Sequence, residues 1–462
     1  MNTKHALLRT LPKVDDVLAH TIISELLCNT PRQVVLDCIR MVLMGIRQEI
    51  LSGCFEQDYI ELAFVANMVK KQAQLLCTSS LRRVINATGV VLNTNLGRAK
   101  LSEQAVVQIL EVANNYSNLE YDLEIGGRGL RYQHIEGLIC KITGAESALV
   151  VNNNAAAVML ILSSICKGGE VIVSRGELVE IGGSFRVPDI MEQSGCTLRE
   201  VGTTNKTNAF DYEKAIHVGK THALMKIHTS NFKIVGFTQE VSVAELVAIG
   251  KEKDIPVIHD VGSGLLVDLK PFGVLDEPTV LESVKAGVDI ISFSGDKLLG
   301  GSQAGIIIGK KIYIDEMKKN PLTRAFRIDK LTLAGLEGTL MAYQDVDYAM
   351  KSIPTLHMIS QPLPQIKEKA QILYDALANY GAVMVDDFSQ VGGGSAPSQM
   401  IPTYVVKISS GKISVNKIEA VLRTQSIPII TRITKDSVLF DLRTIADNEI
   451  EYVIHCVKEI LE

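Results

Sequence analysis

Along the first eighty residues, apolar positions recur at helical spacing. Val34, Val35, Cys38, Val42, Ile46 and Ile50 return every few residues and stop at Gly53, which marks one buried stripe on a helix. Thr30-Pro31 predicts where that helix starts, with Thr30 as N-cap and Pro31 in the first helical position. A second helix is predicted from about Gln57 to Leu76. Residues 1–80 read as a small helical domain.

From residue 81 the pattern changes. Short apolar, β-branched runs alternate with amphipathic stretches: ESALVVNNN, EVIVSRG, ALMKIHTS, IPVIHDVGSG, DIISFSGDK and AGIIIG. Continuous apolar strands separated by helices imply an α/β fold, with a mainly parallel sheet covered on both faces. Side chains that do chemistry in such sheets gather at the carboxyl ends of strands. NNN, HTSN, HDVGSG and SGDK each follow an apolar run directly, so all four are expected at one crevice. From about residue 345 the order becomes helix, strand, strand, helix, strand, strand, helix, with AVMVDDF, TYVVKIS, IPIIT and SVLFDLR as the strands. That predicts a smaller α+β domain over 345–462, after a central domain over 81–344. VGGGSAP at 391–397 reads as the most flexible internal loop. No internal repeat or low-complexity segment occurs.

Bulk properties narrow the function. A chain of 462 residues exceeds one ordinary core. The net charge of −5 gives no global attraction to nucleic acid or acidic membranes, so RNA binding has to come from local patches. In residues 1–80 eight basic side chains balance eight acidic ones; by pattern alone that domain suits packing or dimerisation. Eight cysteines without a C-x-x-C pair suggest neither a zinc site nor a disulfide framework, and a reducing cytoplasm is the simplest compartment. No metal site is expected. The amino-terminal stretch lacks the apolar run of a signal peptide, and no apolar run is long enough to span a bilayer.

The candidate chemistry begins with Lys297 in SFSGDKLLGG. A partly desolvated lysine loses preference for its charged form. The neutral amine is then a nucleophile suited to a Schiff base with a carbonyl substrate or with pyridoxal phosphate. Ser292, Ser294 and Gly295 leave room beside it for a ring or a phosphate; a snorkelling amine or an ion pair is the plainer alternative. Asp260 ends the run IPVIHD, one helix and one strand earlier. A carboxylate there meets the need of a pyridoxal enzyme for a partner to the pyridine nitrogen, whereas a turn residue before Gly262 would need nothing further. VVNNNAAAVML runs from a strand into a helix, so the N–H groups of Asn153, Asn154 and Ala155 offer a phosphate seat. Ordinary capping explains the same residues. No Walker A motif and no G-x-G-x-x-G after the first strand occur.

Taken together, RRVINATGVVLNTNLGRA (82–99), VNNNAAAVML (151–160), SRGELVEIGGSFR (174–186), VGTTNKT (201–207), KIHTSNFKIVGFT (226–238), VGSGLLVDL (261–269), SFSGDKLLGGSQAGIIIGKK (292–311) and LTRAFRIDKLTLAGLEGTL (322–340) resemble the bacterial selenocysteine synthase family, the L-seryl-tRNA selenium transferases. The resemblance implies a fold-type I pyridoxal phosphate enzyme that turns seryl-tRNA(Sec) into selenocysteinyl-tRNA(Sec). Water is lost to leave an aminoacrylyl ester, and selenium is added from selenophosphate. It implies that Lys297 carries the cofactor and then acts as base, that Asp260 sustains the electron sink, and that residues 1–80 help recognise the tRNA. It assigns Arg98, Arg324 and Arg327 to selenophosphate, an anion that planar guanidinium groups bind in bidentate fashion. By spacing alone Arg324 and Arg327 share a helical face, which a solvated basic surface also explains. Asp296 is expected to orient donor or leaving group, or to form a structural ion pair. His228 is expected to stack on the ring or bond its O3′, or to be a satisfied core histidine. Arg128 and Arg131 in GGRGLR are left between the phosphate and a subunit interface. The resemblance also implies a cytoplasmic homo-oligomer, a ring-shaped decamer assembled from dimers. Two positions depart from the family: Ser302 stands where proline is common and His259 where threonine is.

Two rivals share some of these features. Pyridoxal-dependent lyases acting on small amino sugars or amino acids would use the same lysine and aspartate, but lack the helical amino-terminal domain. A non-catalytic RNA-binding protein with a degenerate pyridoxal fold would not need Lys297 or Asp260.

Overall fold

The computed structural model describes residues 3–55, 57, 59–181, 183, 185–396 and 399–462. The chain divides into two compact units, with the break between Arg83 and Val84.

The first unit is helical. Three short helices (Thr3–Thr10, Val14–Leu18, Thr21–Leu27) precede two longer ones, Arg32–Ser52 and Leu62–Cys77. Val35, Cys38, Ile39, Val42, Ile46 and Ile50 pack with Val65, Ala66, Val69 and Ala73, the stripe the periodicity predicts. Gly53 closes the first long helix in the left-handed conformation, at φ 82°. Two boundaries differ from expectation. Pro31 has an extended ψ of 131° and is itself the N-cap, so the helix begins one residue later. The second long helix begins at Leu62 because Glu61 is still extended, at ψ 137°, and Ile60 is buried in the core. Residues 57 and 59–61 are not helical.

The second unit is built on a seven-stranded sheet. Its strands are β1 (Ser147–Val151), β2 (Glu170–Ser174), β3 (Thr197–Val201), β4 (Thr221–Ile227), β5 (Val257–Gly262), β6 (Ile290–Ser294) and β7 (Gly305–Gly309). Their spatial order is β1-β7-β6-β5-β4-β2-β3. All neighbours pair in parallel except β7, which is antiparallel to both β1 and β6. The sheet is thus mainly parallel, as the apolar runs predict. Each strand feeds two cores: Leu149 and Val151 face one side, Ala148 and Val150 the other, following the two-residue period of a strand. β3 was not legible as a strand because it lies at the sheet edge, and TLREV is buried throughout only at Val201.

A four-stranded antiparallel sheet follows: β8 (Ala382–Gln390), β9 (Met400–Ile408), β10 (Arg432–Thr434) and β11 (Ser437–Asp441), in the order β8-β9-β11-β10. Helices Leu363–Leu377, Val415–Arg423 and Ile450–Leu461 pack on it. The expected helix–strand order is present, except that IPIIT does not itself join this sheet. Ile429–Ile430 pairs in parallel with Ile85–Asn86, and only the following residues join the sheet as β10.

That pairing positions the site. Ile85 and Ala87 pack in the core of the carboxyl-terminal layer, although the sequence pattern groups them with the central domain. The arm then runs beside the end of β8. Gln390 N donates to Gly89 O, Val91 N to Gln390 O and Leu92 N to Val391 O, at 2.7–2.9 Å. Two segments therefore leave this ladder side by side, one toward Arg98 and the other into the triglycine loop at 392–394. No helix among the described residues is long and apolar enough to cross a membrane.

Candidate active site

Asp260, Ser292 and Ser294 lie near the carboxyl ends of β5 and β6, on strands buried along their whole length. In the register, Asp260 faces Ser292 on one side and Ile227 on the other. Its side chain therefore points to the face against which the helix Asn154–Ile161 packs. Asn154 Nδ2 donates to Asp260 Oδ1 at 2.8 Å and Ser292 Oγ to the same oxygen at 3.0 Å. Oδ2 accepts no hydrogen bond among the described residues. Burial, the largest effect, raises the Asp260 pKa; the bonds from Asn154 and Ser292 and the charge of Lys297 oppose it. Such a carboxylate is well matched to a cation placed against it.

Lys297 is 5% exposed, and its amine makes no hydrogen bond among the described residues. Burial is the main cause holding that amine below its ordinary pKa. The Arg98 charge adds to the effect, while Asp260, Asp296 and Glu277 oppose it. Arg98 reaches the centre in a left-handed conformation, at φ 61°. Its Nη1 donates to Asp296 Oδ2 at 2.8 Å, and the next residue's backbone N–H donates to Asp296 O.

The triglycine loop closes over the lysine. A Cβ added to Gly394 would sit 3.0 Å from Lys297 Nζ, and φ there is +81°, so the position needs glycine. Val391, Ser395 and Ala396 are buried. This segment, read from sequence as the most flexible loop, is a packed wall of the site; Pro397 lies outside the described residues.

The remaining expected residues sort as follows. Asn153 caps the helix Asn154–Ile161, its Oδ1 accepting from Ala156 N at 2.8 Å. The first N–H groups of that helix, at Asn154 and Ala155, consequently have no intrahelical acceptor. Asn154 Oδ1, Ser230 Oγ and Ser263 Oγ are buried without partners among the described residues. Unpaired polar atoms together with helix N–H groups at strand ends are what a phosphorylated, polar ring needs, so these residues fit pyridoxal phosphate. His228 follows β4, its backbone N–H bonding Asp260 O at 2.9 Å. Its ring lies 3.2 Å from Glu277 Oε2.

Arg324 and Arg327 do not share a helical face. The short helix ends at Ala325. Arg327 is extended and bridges Val151, while Asn152 N bonds Phe326 O at 2.9 Å. That contact draws the segment across the end of β1, next to the Asn153 turn. Arg327 Nη1 meets Glu120 at 3.0 Å, and Glu120 is also held by Arg131. Arg131 further donates to Ile328 O, so it buttresses the Arg327 segment. Arg128 is exposed on a hairpin and acts on Glu120 through its charge. Arg324 is exposed.

Glu277, in LDEPTV, escaped the sequence reading because nothing in that loop suggests chemistry. It is 3% exposed, Oε2 accepts from Ala396 N at 3.0 Å, and Oε1 has no partner among the described residues. Of the two departures from the family pattern, Ser302 lies against Gly335. His259 is fully buried, bonds Ser283 Oγ at 2.9 Å and has its pKa lowered to about 3, mainly by burial. It is neutral at ordinary pH and adds no charge to the centre.

Residues 84–446 match the family described as L-seryl-tRNA selenium transferase, and residues 8–45 match that described as selenocysteine synthase N terminal. The chain is 50% identical to the L-seryl-tRNA(Sec) selenium transferase of Clostridium botulinum (strain Okra / Type B1), over 99% of this chain and 100% of that one. It is 51% identical to that of Alkaliphilus metalliredigens (strain QYMF), over 99% of each. Among solved structures, D-glucosaminate-6-phosphate ammonia-lyase aligns with a TM-score of 0.60 at 21% identity, covering 84% of this chain and 97% of that one. That last likeness concerns the fold.

The charge arrangement predicts a direction for the lysine. Arg98→Gln removes a cation that depresses the Lys297 pKa and frees Asp296, whose charge raises it. Reactivity of Lys297 toward an amine-acylating reagent, followed by peptide mass analysis across pH, is expected to show its midpoint at higher pH than in the unaltered protein. A midpoint that stays put or falls contradicts the assignment.

Proposed function

The chain belongs to the L-seryl-tRNA selenium transferase family, and from that membership we propose how its own residues carry the reaction. The enzyme converts L-seryl-tRNA(Sec) to L-selenocysteinyl-tRNA(Sec). Its cofactor is pyridoxal 5′-phosphate, which when bound supplies the electron sink that lets the seryl α-proton and β-hydroxyl leave.

Lys297 would hold the cofactor through its amine. The same Nζ, once free, would take the seryl α-proton. Burial shifts the pKa of this amine downward, the direction a general base needs. Asp260 would pair with a pyridine nitrogen through its free Oδ2, and Asn154 and Ser292 orient it from the other oxygen. Asn153, Asn154 and Ala155 seat the phosphate at the helix start, and Ser294 borders the ring. His228, fixed by Glu277, bounds the substrate side. Selenophosphate is the donor. Arg98 binds it, held in place by Asp296, while Arg327 and Arg324 draw it in from the β1 end. The observation that carries this reading is the joint burial of Lys297 and Asp260 at neighbouring strand ends, each with its charge disfavoured by burial.

Residues 1–80 recognise the tRNA. The match of residues 8–45 to the selenocysteine synthase N-terminal family supports this. The balanced charge of the segment implies recognition more by shape than by phosphate neutralisation. The enzyme is a cytoplasmic homo-oligomer, a ring-shaped decamer assembled from dimers. Leu123 and Ile125, 73% and 82% exposed on a hairpin tip, are apolar surface that a second copy would cover. The cysteines among the described residues are all free, which suits a reducing compartment.

The direct test is turnover of seryl-tRNA(Sec) with selenophosphate, with and without pyridoxal phosphate. Lys297→Ala is expected to abolish the borohydride-trapped adduct on that peptide and lower turnover by about a thousandfold or more, with tRNA still bound. A trapped adduct elsewhere on the chain defeats the assignment. Arg324→Ala and Arg327→Ala are each expected to leave the cofactor's visible band intact while raising the KM for selenophosphate by about tenfold; normal donor kinetics in both removes them from the site. Deleting residues 1–80 is expected to abolish the gel shift with tRNA(Sec) while the protein stays yellow, and an unchanged shift refutes the recognition role.

A further inference from the structure

Beside the Lys297 centre lies an open cavity of about 510 Å³ at the ends of β2, β3 and β4, walled by Thr204, Lys206, Lys226, His228, Phe232 and Glu277 among others. Neither Lys297 nor Asp260 lines it. The two sites meet at Glu277, which lines the cavity and acts electrostatically on Lys297. We propose that this cavity seats the terminal nucleoside of the tRNA, the adenosine whose ribose carries the seryl ester. The proposal rests on the reading that an aminoacyl ester of tRNA is the substrate.

Connectivity supplies the first argument. The seryl amine must reach Lys297, and only a few bonds separate it from the terminal ribose. The nucleoside must therefore occupy space that shares a wall with the lysine centre, and its volume suits a ligand of that size.

Charge supplies the second. Three lysines line the cavity, but two are already neutralised. Lys226 Nζ lies 3.0 Å from Glu177 and 3.2 Å from Glu240; Lys233 Nζ lies 2.6 Å from Asp276. With Glu277, four carboxylates face the three lysines. Such a wall repels an anion such as selenophosphate and accepts a neutral group rich in donors and acceptors. Glu277 Oε1, buried without a partner among the described residues, is an acceptor that a hydroxyl or amino donor can satisfy after a small side-chain shift.

Surface aromatics supply the third. The loop after β4 is pinned by Asn231 Nδ2 to Glu180 O and Asn205 Nδ2 to Phe237 O, at 2.7 and 2.6 Å. Yet it leaves Val235 and Phe237 85% and 91% exposed, with Phe232 in the cavity wall. A pinned loop that presents aromatic faces beside lysines is a stacking platform for unpaired bases.

The test compares two esters on the cofactor-loaded enzyme. L-Serine methyl ester reaches only the lysine centre, whereas 3′-O-L-seryl-adenosine reaches the cavity as well. The reading is the concentration that half-shifts the cofactor's visible band. Seryl-adenosine is expected to act at a concentration about tenfold lower or better. Thr204→Trp, which fills the cavity, is expected to bring the two esters within about twofold, and equilibrium dialysis with radiolabelled adenosine to show the same loss of binding. Phe237→Ala, too exposed to affect folding, is expected to raise the KM for seryl-tRNA by about fivefold or more. Equal half-points in the unaltered enzyme, or an undiminished advantage in Thr204→Trp, overturns the assignment while leaving the catalytic reading intact. If neither ester shifts the band and seryl-tRNA is not consumed, the catalytic reading falls and the cavity assignment falls with it.

Discussion

An amine buried away from water is the constraint around which this molecule is arranged. Removing a charged ammonium from solvent costs several kcal/mol even after relaxation, and Lys297 has no hydrogen-bond partner among the described residues to offset it. The protein neither leaves the amine in water nor pairs it directly with a carboxylate. Arg98 is brought close enough to add to the pressure against the charged form. Asp260 is treated in a complementary way. One oxygen is held by Asn154 and Ser292, and the other accepts no hydrogen bond among the described residues. Each group on its own is a liability for folding, and on the proposed reading a ligand that offers an aldehyde to one and a cationic ring nitrogen to the other would relieve both.

Supporting such a centre takes contributions from distant parts of the chain. β5 and β6 bring Asp260 and the stretch leading to Lys297 together by parallel pairing, and the helix after β1 supplies Asn154. The other wall arrives through the short ladder between residues 89–92 and 390–391. From that ladder the arm reaches Arg98 and the β8 extension reaches Gly394. The carboxyl-terminal layer, whose core also contains Ile85 and Ala87, is therefore part of the catalytic architecture. At Gly394, with φ +81°, this layer comes close against the end of the lysine side chain, where a Cβ would lie 3.0 Å from Nζ.

How much of this was legible depended on whether the signal was local. The apolar runs of β1, β2 and β4–β7 announce themselves because strands buried on both faces are apolar at most positions. β3 does not, since an edge strand needs only part of its surface covered. The convergence of Lys297 and Asp260 was readable because strand ends in parallel sheets gather at one crevice. The antiparallel sense of β7 and the pairing of IPIIT with Ile85–Asn86 instead of the sheet depend on which partner each strand finds, and no run of residues encodes that. Arg324 and Arg327 misled by spacing alone. Three residues apart implies one helical face only while the helix lasts, and it stops at Ala325. The triglycine loop misled in a related way: glycine's freedom permits both a mobile loop and a close-packed one, and only the neighbouring lysine decides between them. Glu277 carried no signal because its meaning comes wholly from His228, Ala396 and the cavity it borders.

The distribution of charge around the centre separates two kinds of ligand. On the β1 side, Arg327, with Arg131 and Arg128 behind it, outnumbers Glu120, while Arg98 is set against Asp296 next to the lysine. On the side of β2, β3 and β4, Lys226 and Lys233 in the cavity wall are neutralised by Glu177, Glu240 and Asp276. An anion approaching the lysine centre is thus favoured along one wall and disfavoured along the other, while a neutral group feels the reverse balance of desolvation costs, losing nothing where carboxylates are already paired. On the proposed reading, in which a small anion is joined to the side chain of a large esterified substrate, the reaction needs that separation. If both reactants competed for the same wall, the tighter one would exclude the other, and the centre would hold one partner at a time.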